Sequence, residues 1–226
     1  MNLKKCFLAV GLVLSTASVG LAAVEVSGDA SVGVYNKYIW RGADLGSDAH
    51  FLVQPEVNLG LAGVTLGVWG NYNEASEKLD EIDLTLEYSH DINEELSARV
   101  GHIVYSVADD VDTAEVYAGA TLALPVVVDL DLFYDYDENE TWFLNCGVSK
   151  SIELVENLGL SLGATVGYYD FDYLNNGELT AALDYAVTET VTVTPSLLYS
   201  APLSQEARDA DIDDAVVTAL TVSYTF

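Results

Sequence analysis

The sequence is short of basic residues, of cysteine and of long hydrophobic runs. Only 8 lysines and arginines stand against 36 aspartates and glutamates. This imbalance excludes nucleic acid as a partner, and it excludes a polybasic anchor on a membrane surface, because both need clustered positive charge. Half of the residues are nevertheless hydrophobic, and tyrosine occurs 14 times. A chain of this composition can bury apolar surface, so its high net charge does not indicate disorder.

The start of the chain is predicted to be a secretory signal peptide. Two lysines precede a short apolar run at residues 6–13, and two alanines close the segment. The run is too short for a membrane-spanning helix, and the pattern is typical of a leader that is removed on export. We therefore predict a signal peptide over 1–23 and one exported domain over 24–226. The exported domain keeps a single cysteine, Cys146, so it can form no intramolecular disulfide.

The exported domain shows no sustained helical periodicity, but it repeats an alternation of apolar and polar residues. Residues 126–137 show it best, with apolar or aromatic residues at the even positions and four aspartates among the odd ones. Because successive side chains of a strand point to opposite faces, one face is apolar and the other acidic. About twelve such runs are predicted as strands: 25–40, 50–61, 64–73, 80–89, 95–105, 113–123, 126–137, 140–152, 158–170, 178–187, 191–200 and 214–226.

The breaks between these runs and the distribution of aromatic residues favour a membrane barrel. Short and longer breaks alternate along the chain, as they do in outer-membrane barrels with short periplasmic turns and longer external loops. Aromatic residues collect at the strand ends, which matches two belts at the headgroup levels of a bilayer. Tyr38 and Trp40 are predicted in the lipid-facing belt beside the long breaks, and Phe171 is predicted on the lumen face. A soluble β-sandwich would also alternate, but it would not need its aromatics sorted by height. The predicted fold is an all-β, transmembrane, antiparallel up-and-down β-barrel of about 12 strands.

Two segments carry resemblances to known proteins. The last run alternates to its closing residue, Phe226, and resembles the terminal signature of bacterial outer-membrane proteins, which implies recognition by the barrel-insertion machinery. Residues 38–42 read Tyr-Ile-Trp-Arg-Gly and residues 54–57 read Gln-Pro-Glu-Val. This hairpin resembles the family of outer-membrane porins often labelled TorF-like. The resemblance implies an outer-membrane barrel with channel activity and no catalytic residues.

The polar face of the predicted strands is mostly acidic, and it would line the barrel interior. An interior rich in carboxylates attracts cations and repels anions. Bulky rings on the same face would narrow the passage, and a twelve-stranded barrel lies between filled small barrels and open porins. The predicted acidic pore-lining residues are Glu56, Asp83, Glu87, Glu115, Asp129, Asp131, Asp135, Asp137 and Asp184, with Glu178 on the same face. The predicted basic ones are Lys37, Arg41 and Arg99, and the predicted narrowing rings are Trp69, Tyr105, Tyr117, Phe133 and Phe143.

We therefore predict a narrow, cation-preferring porin of the bacterial outer membrane, without a cofactor, whose partners are membrane lipid and small solutes or cations. The alternative is a structural or adhesion barrel with a closed lumen and acidic loops. In the last long loop, Asp209, Asp211 and Asp213 are spaced as calcium ligands can be, although the rest of an EF-hand pattern is missing. An enzyme is not predicted, because the Gly-x-Ser-x-Gly match at residues 159–163 falls inside a strand, where that motif needs a strand-to-helix turn.

Overall fold

The protein folds as a closed β-barrel. The computed structural model describes residues 26–46 and 49–226. Twelve antiparallel strands pair with their neighbours in chain order until the last one meets the first. The predicted all-β antiparallel barrel of about 12 strands is therefore confirmed. The predicted signal peptide, residues 1–23, lies outside the described residues.

Within residues 26–46 and 49–226, two short strands and one short helix accompany the barrel strands. In chain order the elements are β1 (Val26–Tyr35), β2 (Ile39–Trp40), β3 (Ala43–Asp44), β4 (Leu52–Leu61), β5 (Val64–Asn73), β6 (Lys78–Asp91), β7 (Leu96–Val107), β8 (Thr113–Ala123), β9 (Val127–Asp135), β10 (Trp142–Val155), β11 (Leu158–Tyr169), β12 (Tyr173–Ala186), β13 (Val191–Pro202), α1 (Gln205–Asp209) and β14 (Ala215–Thr225). Strands β2 and β3 form a separate hairpin. In the part of the chain that is described, no helix is long and apolar enough to cross a membrane.

The barrel closes through its two terminal strands. The backbones of Gly28 and Phe226 exchange two hydrogen bonds of 2.9 Å, which join the start of β1 to the end of the chain. This pairing removes the free sheet edges that would otherwise invite aggregation. The turns at this end of the barrel are short. At Ala62–Gly63, between β4 and β5, both residues have positive φ angles of 51° and 83°, the geometry of a two-residue hairpin turn.

The register of β9 places its acids inside the barrel, as the alternation predicts. Asp131 lies opposite Gly119 of β8 and Asn145 of β10, and it is 9% exposed. Its outward neighbour Leu130 is 47% exposed. Apolar side chains are exposed in the same alternating way on the other barrel strands, and an outer face of this kind suits lipid rather than water. Strand β9 ends before Asp137, which is exposed in the following loop and does not continue the row of inward acids.

The first predicted strand is too long, because β1 ends at Tyr35. The side-chain amide of Asn36 then makes the hydrogen bonds to β14 that the backbone of a longer β1 would make. Its amide oxygen accepts the N–H of Thr218 at 2.7 Å, and its amide nitrogen donates to the carbonyl of Val216 at 3.3 Å. Strand β14 thus keeps its hydrogen bonds while the first strand leaves the sheet. The chain is then free to turn into the barrel interior.

The aromatic belt at the long-loop end differs from its prediction at three positions. Tyr38 and Trp40, predicted to face lipid, lie inside the barrel, where their ring centroids are 5.4 Å from Trp69 and 6.0 Å from Tyr105. Phe171, predicted to face the lumen, is 54% exposed and contacts Trp142 on the outside. The long break predicted over 171–177 is instead a tight turn with positive φ at Asp170 and Phe171, and that turn reverses the side-chain direction.

Candidate functional site: the barrel interior

The inserted loop, residues 36–46, occupies the interior near the long-loop end of the barrel. It carries the β2–β3 hairpin, whose tip is Arg41–Gly42. Arg41 donates two hydrogen bonds to Glu115 of β8, at 2.7 and 2.8 Å. The Tyr105 hydroxyl donates a third bond to Glu115, at 2.9 Å. Glu115 is only 1% exposed, so this pair is shielded from solvent and is screened little by salt.

Aromatic rings surround the Arg41 guanidinium. Its central carbon lies 4.3 Å from the ring centroid of Trp40, 4.4 Å from that of Phe143 and 5.0 Å from that of Phe133. These distances are within the range of cation–π attraction. The backbone carbonyl of Arg41 accepts a 2.7 Å hydrogen bond from Asn175. The inserted loop is therefore attached to the wall both by its side chain and by its backbone.

The hairpin tip has an unusual backbone conformation. Arg41 has a φ of 49°, which costs free energy for a residue other than glycine, and Gly42 follows with a φ of 87°. A Cβ atom at Gly42 would also meet Asn176 and Ile212 at 2.9 Å. Ile212 and Ala207 belong to the last long loop, and both are buried, so this loop packs over the hairpin. The strain at Arg41 persists because contacts from several sides hold the hairpin in place.

A second ion cluster lies further from the inserted loop. Arg99 of β7 donates two hydrogen bonds to Asp131, at 2.9 and 2.7 Å, and one to the hydroxyl of Thr121, at 2.7 Å. Asp129 is 3.8 Å from the same guanidinium. The Arg99–Asp131 pair lies over Gly119, where a Cβ atom would collide with the Asp131 carboxylate. The glycine thus makes room for an arginine on the inner wall.

Tyr117, like the Arg99–Asp131 pair, lies over a glycine of the inner wall. It lies over Gly101, whose missing side chain leaves space for the ring, and its hydroxyl donates a 2.6 Å hydrogen bond to Glu87. The ring also packs against Phe133, with centroids 5.3 Å apart. Rings that lie against the wall over glycine narrow the lumen less than rings that project toward its axis. The width of the passage therefore depends on whether each ring lies against the wall or projects toward the barrel axis.

A cavity of about 360 Å³ remains beside the hairpin. Its wall includes Trp40, Arg41, Trp69, Asp83, Tyr105 and Glu178. The Oδ1 atom of Asp83 is buried without a hydrogen-bond partner in the described residues. One oxygen of Glu178 accepts a 3.0 Å bond from Asn176. This cavity combines carboxylates with several aromatic faces.

A second cavity, of about 410 Å³, lies near the short-turn end and includes Asp184. Asp184 accepts hydrogen bonds from Ser161 at 2.6 Å and from Thr194 at 3.0 Å. Ser161 belongs to the Gly-x-Ser-x-Gly match and lies within β11, so the segment is a strand rather than a turn into a helix. On the far side of the barrel, Glu56 accepts a 3.1 Å bond from Asn58.

Other predicted site residues have local roles at the long-loop end. Asp135 is 4% exposed and accepts bonds from Thr113 and Asn139, so it anchors the loop after β9. Lys37 pairs with Asp44 across the base of the inserted loop, and both side chains are part-exposed. In the described ranges, no group of three or more acidic, histidine or cysteine side chains is placed to hold a metal ion. Asp209, Asp211 and Asp213 therefore form no such group.

An exposed ion pair links two of the external loops. Lys78 donates a 2.8 Å hydrogen bond to Asp109, and this bond and the lysine charge lower the pKa of Asp109. Both side chains are largely exposed, so the contact is local and adds little to stability.

The structure also brings residues to the interior that the strand parity did not select. Trp40 belongs to the run Tyr-Ile-Trp-Arg-Gly, and its parity predicts a place in the lipid belt, whereas it lies inside the barrel. Asn175 and Asn176 fall in a stretch predicted as loop, yet they lie on β12 and contact the hairpin tip and Glu178. Paired asparagines beside alternating apolar residues are a signal that could have extended this strand.

Solved structures similar to this chain include outer-membrane porins. The sequence itself matches no protein-family model and no curated protein, so the TorF-like resemblance stays a prediction. The chain resembles the NanC porin with a TM-score of 0.60 at 14% identity, covering 87% of this chain and 98% of that one. It resembles the KdgM porin with a TM-score of 0.59 at 11% identity, covering 88% and 99%. A KdgM porin in complex with disordered oligogalacturonate gives a TM-score of 0.58 at 11% identity, covering 88% and 99%. The chain thus has the fold of an outer-membrane porin barrel.

Proposed function

We propose that the protein is a porin of the bacterial outer membrane, a narrow channel for small solutes or ions that prefers cations. The barrel fold shared with solved porins and the apolar outer face support membrane residence. We also propose that the barrel-insertion machinery recognises Phe226. This residue lies at the end of the closing strand, which is compatible with that role.

The charge balance of the inner wall carries the proposed selectivity. Within the described residues, the two arginines of the interior, Arg41 and Arg99, are each already paired with carboxylates. Asp83 and Glu178 have no basic partner there, and neither has Asp184. Because the field of several like charges adds up in a narrow low-dielectric passage, the unpaired carboxylates concentrate cations and repel anions.

The unpaired carboxylates of the interior predict a solute different from the one that a similar porin binds. The KdgM porin is described in complex with oligogalacturonate, a chain of carboxylate-bearing sugars. An interior with unpaired carboxylates would repel such a polyanion. We therefore propose that the two barrels share their fold and differ in the sign of the solute charge they favour.

A second candidate, a barrel with a closed lumen and a structural role, is favoured by the inserted loop. The Arg41–Glu115 pair and the aromatic contacts hold that loop across the interior. If the loop never leaves the barrel interior, the acids of the wall are solvated, but no ions cross the barrel and no current flows.

The test is the reversal potential of the purified barrel in a planar bilayer, with a tenfold gradient of potassium chloride across it. Cation preference moves this potential toward the potassium equilibrium value. Asp184→Asn removes one unpaired carboxylate near the short-turn mouth and is expected to move the potential toward zero. Thr192→Ala, which changes a wall residue of the same cavity without changing charge, serves as the control. A preference for chloride contradicts the proposal, and a silent bilayer favours the closed barrel.

A further inference from the structure

We propose that the 360 Å³ cavity beside the inserted loop is a binding site for a small organic cation that carries an ammonium or guanidinium group. Asp83 and Glu178 would hold the positive group, and the surrounding rings would cover its apolar part. This inference names the solute class of the proposed channel and rests on that function only for the route by which the solute enters.

The two carboxylates stand on opposite walls. Asp83 belongs to β6 and Glu178 to β12, and these strands are six positions apart in the closed ring of twelve. Both residues nevertheless line one cavity. A solute in that cavity therefore meets negative charge from two sides. Such an arrangement suits a cation and disfavours a carboxylate or phosphate.

The cavity already holds one organic cation, which is part of the protein. The Arg41 guanidinium lies over Trp40, Phe143 and Phe133 at 4.3, 4.4 and 5.0 Å from the ring centroids. These three rings already contact Arg41, and the cavity wall offers Trp69 and Tyr105 as further aromatic faces, which attract cations. Because Glu115 neutralises Arg41 through two hydrogen bonds, that arginine leaves Asp83 and Glu178 uncompensated.

The Oδ1 atom of Asp83 is a second, independent indication of a ligand. It is buried and has no hydrogen-bond partner in the described residues. Buried polar atoms are nearly always paired in folded proteins, and an unpaired carboxylate oxygen is costly. An N–H donor on a bound cation would satisfy it. A volume of 360 Å³ is at the lower end of the range for small-molecule sites, so the solute is small.

The experiment measures binding directly and needs no current. The purified full chain in detergent micelles is titrated with n-butylammonium and with methylguanidinium, and tryptophan fluorescence is recorded with calorimetry alongside it. Trp40 and Trp69 line the cavity, whereas Trp142 lies on the outer surface. We expect saturable binding of both cations and none of n-butanol, which has nearly the shape of n-butylammonium but no charge. Sodium chloride at equal ionic strength controls for screening.

Three variants locate the site. Asp83→Asn and Glu178→Gln are each expected to weaken binding about tenfold, because each removes a charged hydrogen-bond acceptor. Asp184→Asn makes the same change of charge in the other cavity and should alter the affinity less than about twofold. Circular dichroism checks that each variant keeps its strands, and the comparison of n-butylammonium with n-butanol needs no variant at all.

The outcomes separate this inference from the proposed function. Equal binding of n-butanol, no saturable binding, or equal weakening by Asp184→Asn would overturn the site. A cation-preferring current together with any of these results leaves the porin standing and removes the site alone. Saturable cation binding that depends on Asp83 supports the site even where the bilayer is silent.

Discussion

Removing the Arg41 side chain is expected to release the inserted loop from the barrel interior. In Arg41→Ala the loop loses both hydrogen bonds to Glu115 and the contacts with three rings, and it keeps the backbone bond from Asn175. Glu115, which is 1% exposed, would be left as an uncompensated charge for as long as the loop stayed in place. The inserted state therefore becomes less favourable, while the released state, in which Glu115 is hydrated, is affected little.

The size of the effect follows from the burial of the pair. Removing one partner of a buried ion pair costs about 3–5 kcal/mol, because the remaining charge stays in a poorly solvated place. With tenfold per 1.4 kcal/mol, even about 3 kcal/mol moves the balance between inserted and released loop by roughly 150-fold. An exposed pair is worth at most about 1 kcal/mol. Lys37→Ala, which breaks the part-exposed pair with Asp44 on the same loop, is therefore the matched control.

The assay is single-channel conductance in a planar bilayer, recorded for the wild type, Arg41→Ala, Lys37→Ala and the double variant Arg41→Ala with Glu115→Gln. We expect a larger conductance and a stronger cation preference in Arg41→Ala, and near wild-type values in Lys37→Ala. The double variant should show a smaller rise than Arg41→Ala, since it leaves no unpaired charge behind. Unchanged conductance in Arg41→Ala, or an equal rise in Lys37→Ala, would refute the argument that the buried pair holds the loop.

Three further predictions concern the wall and the loops. Leu130→Arg puts a charge on the outward face of β9 and should destabilise the barrel in lipid vesicles by about 2–4 kcal/mol, measured by denaturant unfolding; no loss would mean that this face does not meet lipid. Gly119→Ala forces a Cβ against Asp131 and should cost about 1–3 kcal/mol in the same assay, whereas an unchanged midpoint would contradict the close packing over this glycine. The pKa of Asp109 is lowered by Lys78, so their contact is present at pH values above the ordinary carboxyl range and is lost as the pH falls through the lowered value; carboxyl titration by NMR should show Lys78→Gln returning the pKa to its usual range.

The strand pattern was predictable because its physical cause is local. In β9, apolar and acidic residues alternate with the period of a strand, and a slip of one residue would move every acid to the lipid face. The start and end of β5 (Val64–Asn73) and β8 (Thr113–Ala123) agree with their predicted ranges. The ends of β1 and β12 do not. At β1, an asparagine side chain replaces the backbone in the sheet, and at β12, a three-residue turn replaces a predicted long loop.

The path of the inserted loop could not be predicted, since its cause is distant in the sequence. Trp40 and Arg41 continue the alternation of the first run, so parity alone assigned the tryptophan to lipid. Their actual place depends on Glu115, which is 74 residues away, and on rings from β9 and β10. In the same way, parity could place Asp131 on the inner face, but only the register beside Gly119 and the reach of Arg99 made it half of an ion pair.

Within the regular strands, the sequence by itself thus determined which residues can face lipid and which can face water, because a period of two and the cost of burying charge leave one acceptable arrangement. It also predicted the strand number, which the barrel confirms. Only the tertiary structure decided which of the inward acids are neutralised, since the inserted loop brings Arg41 to Glu115 and the pairing of β7, β8 and β9 brings Arg99 to Asp131. Asp83 and Glu178, two of the inner carboxylates that have no basic partner in the described residues, line one cavity because the closed ring of strands places them on opposite walls that face each other.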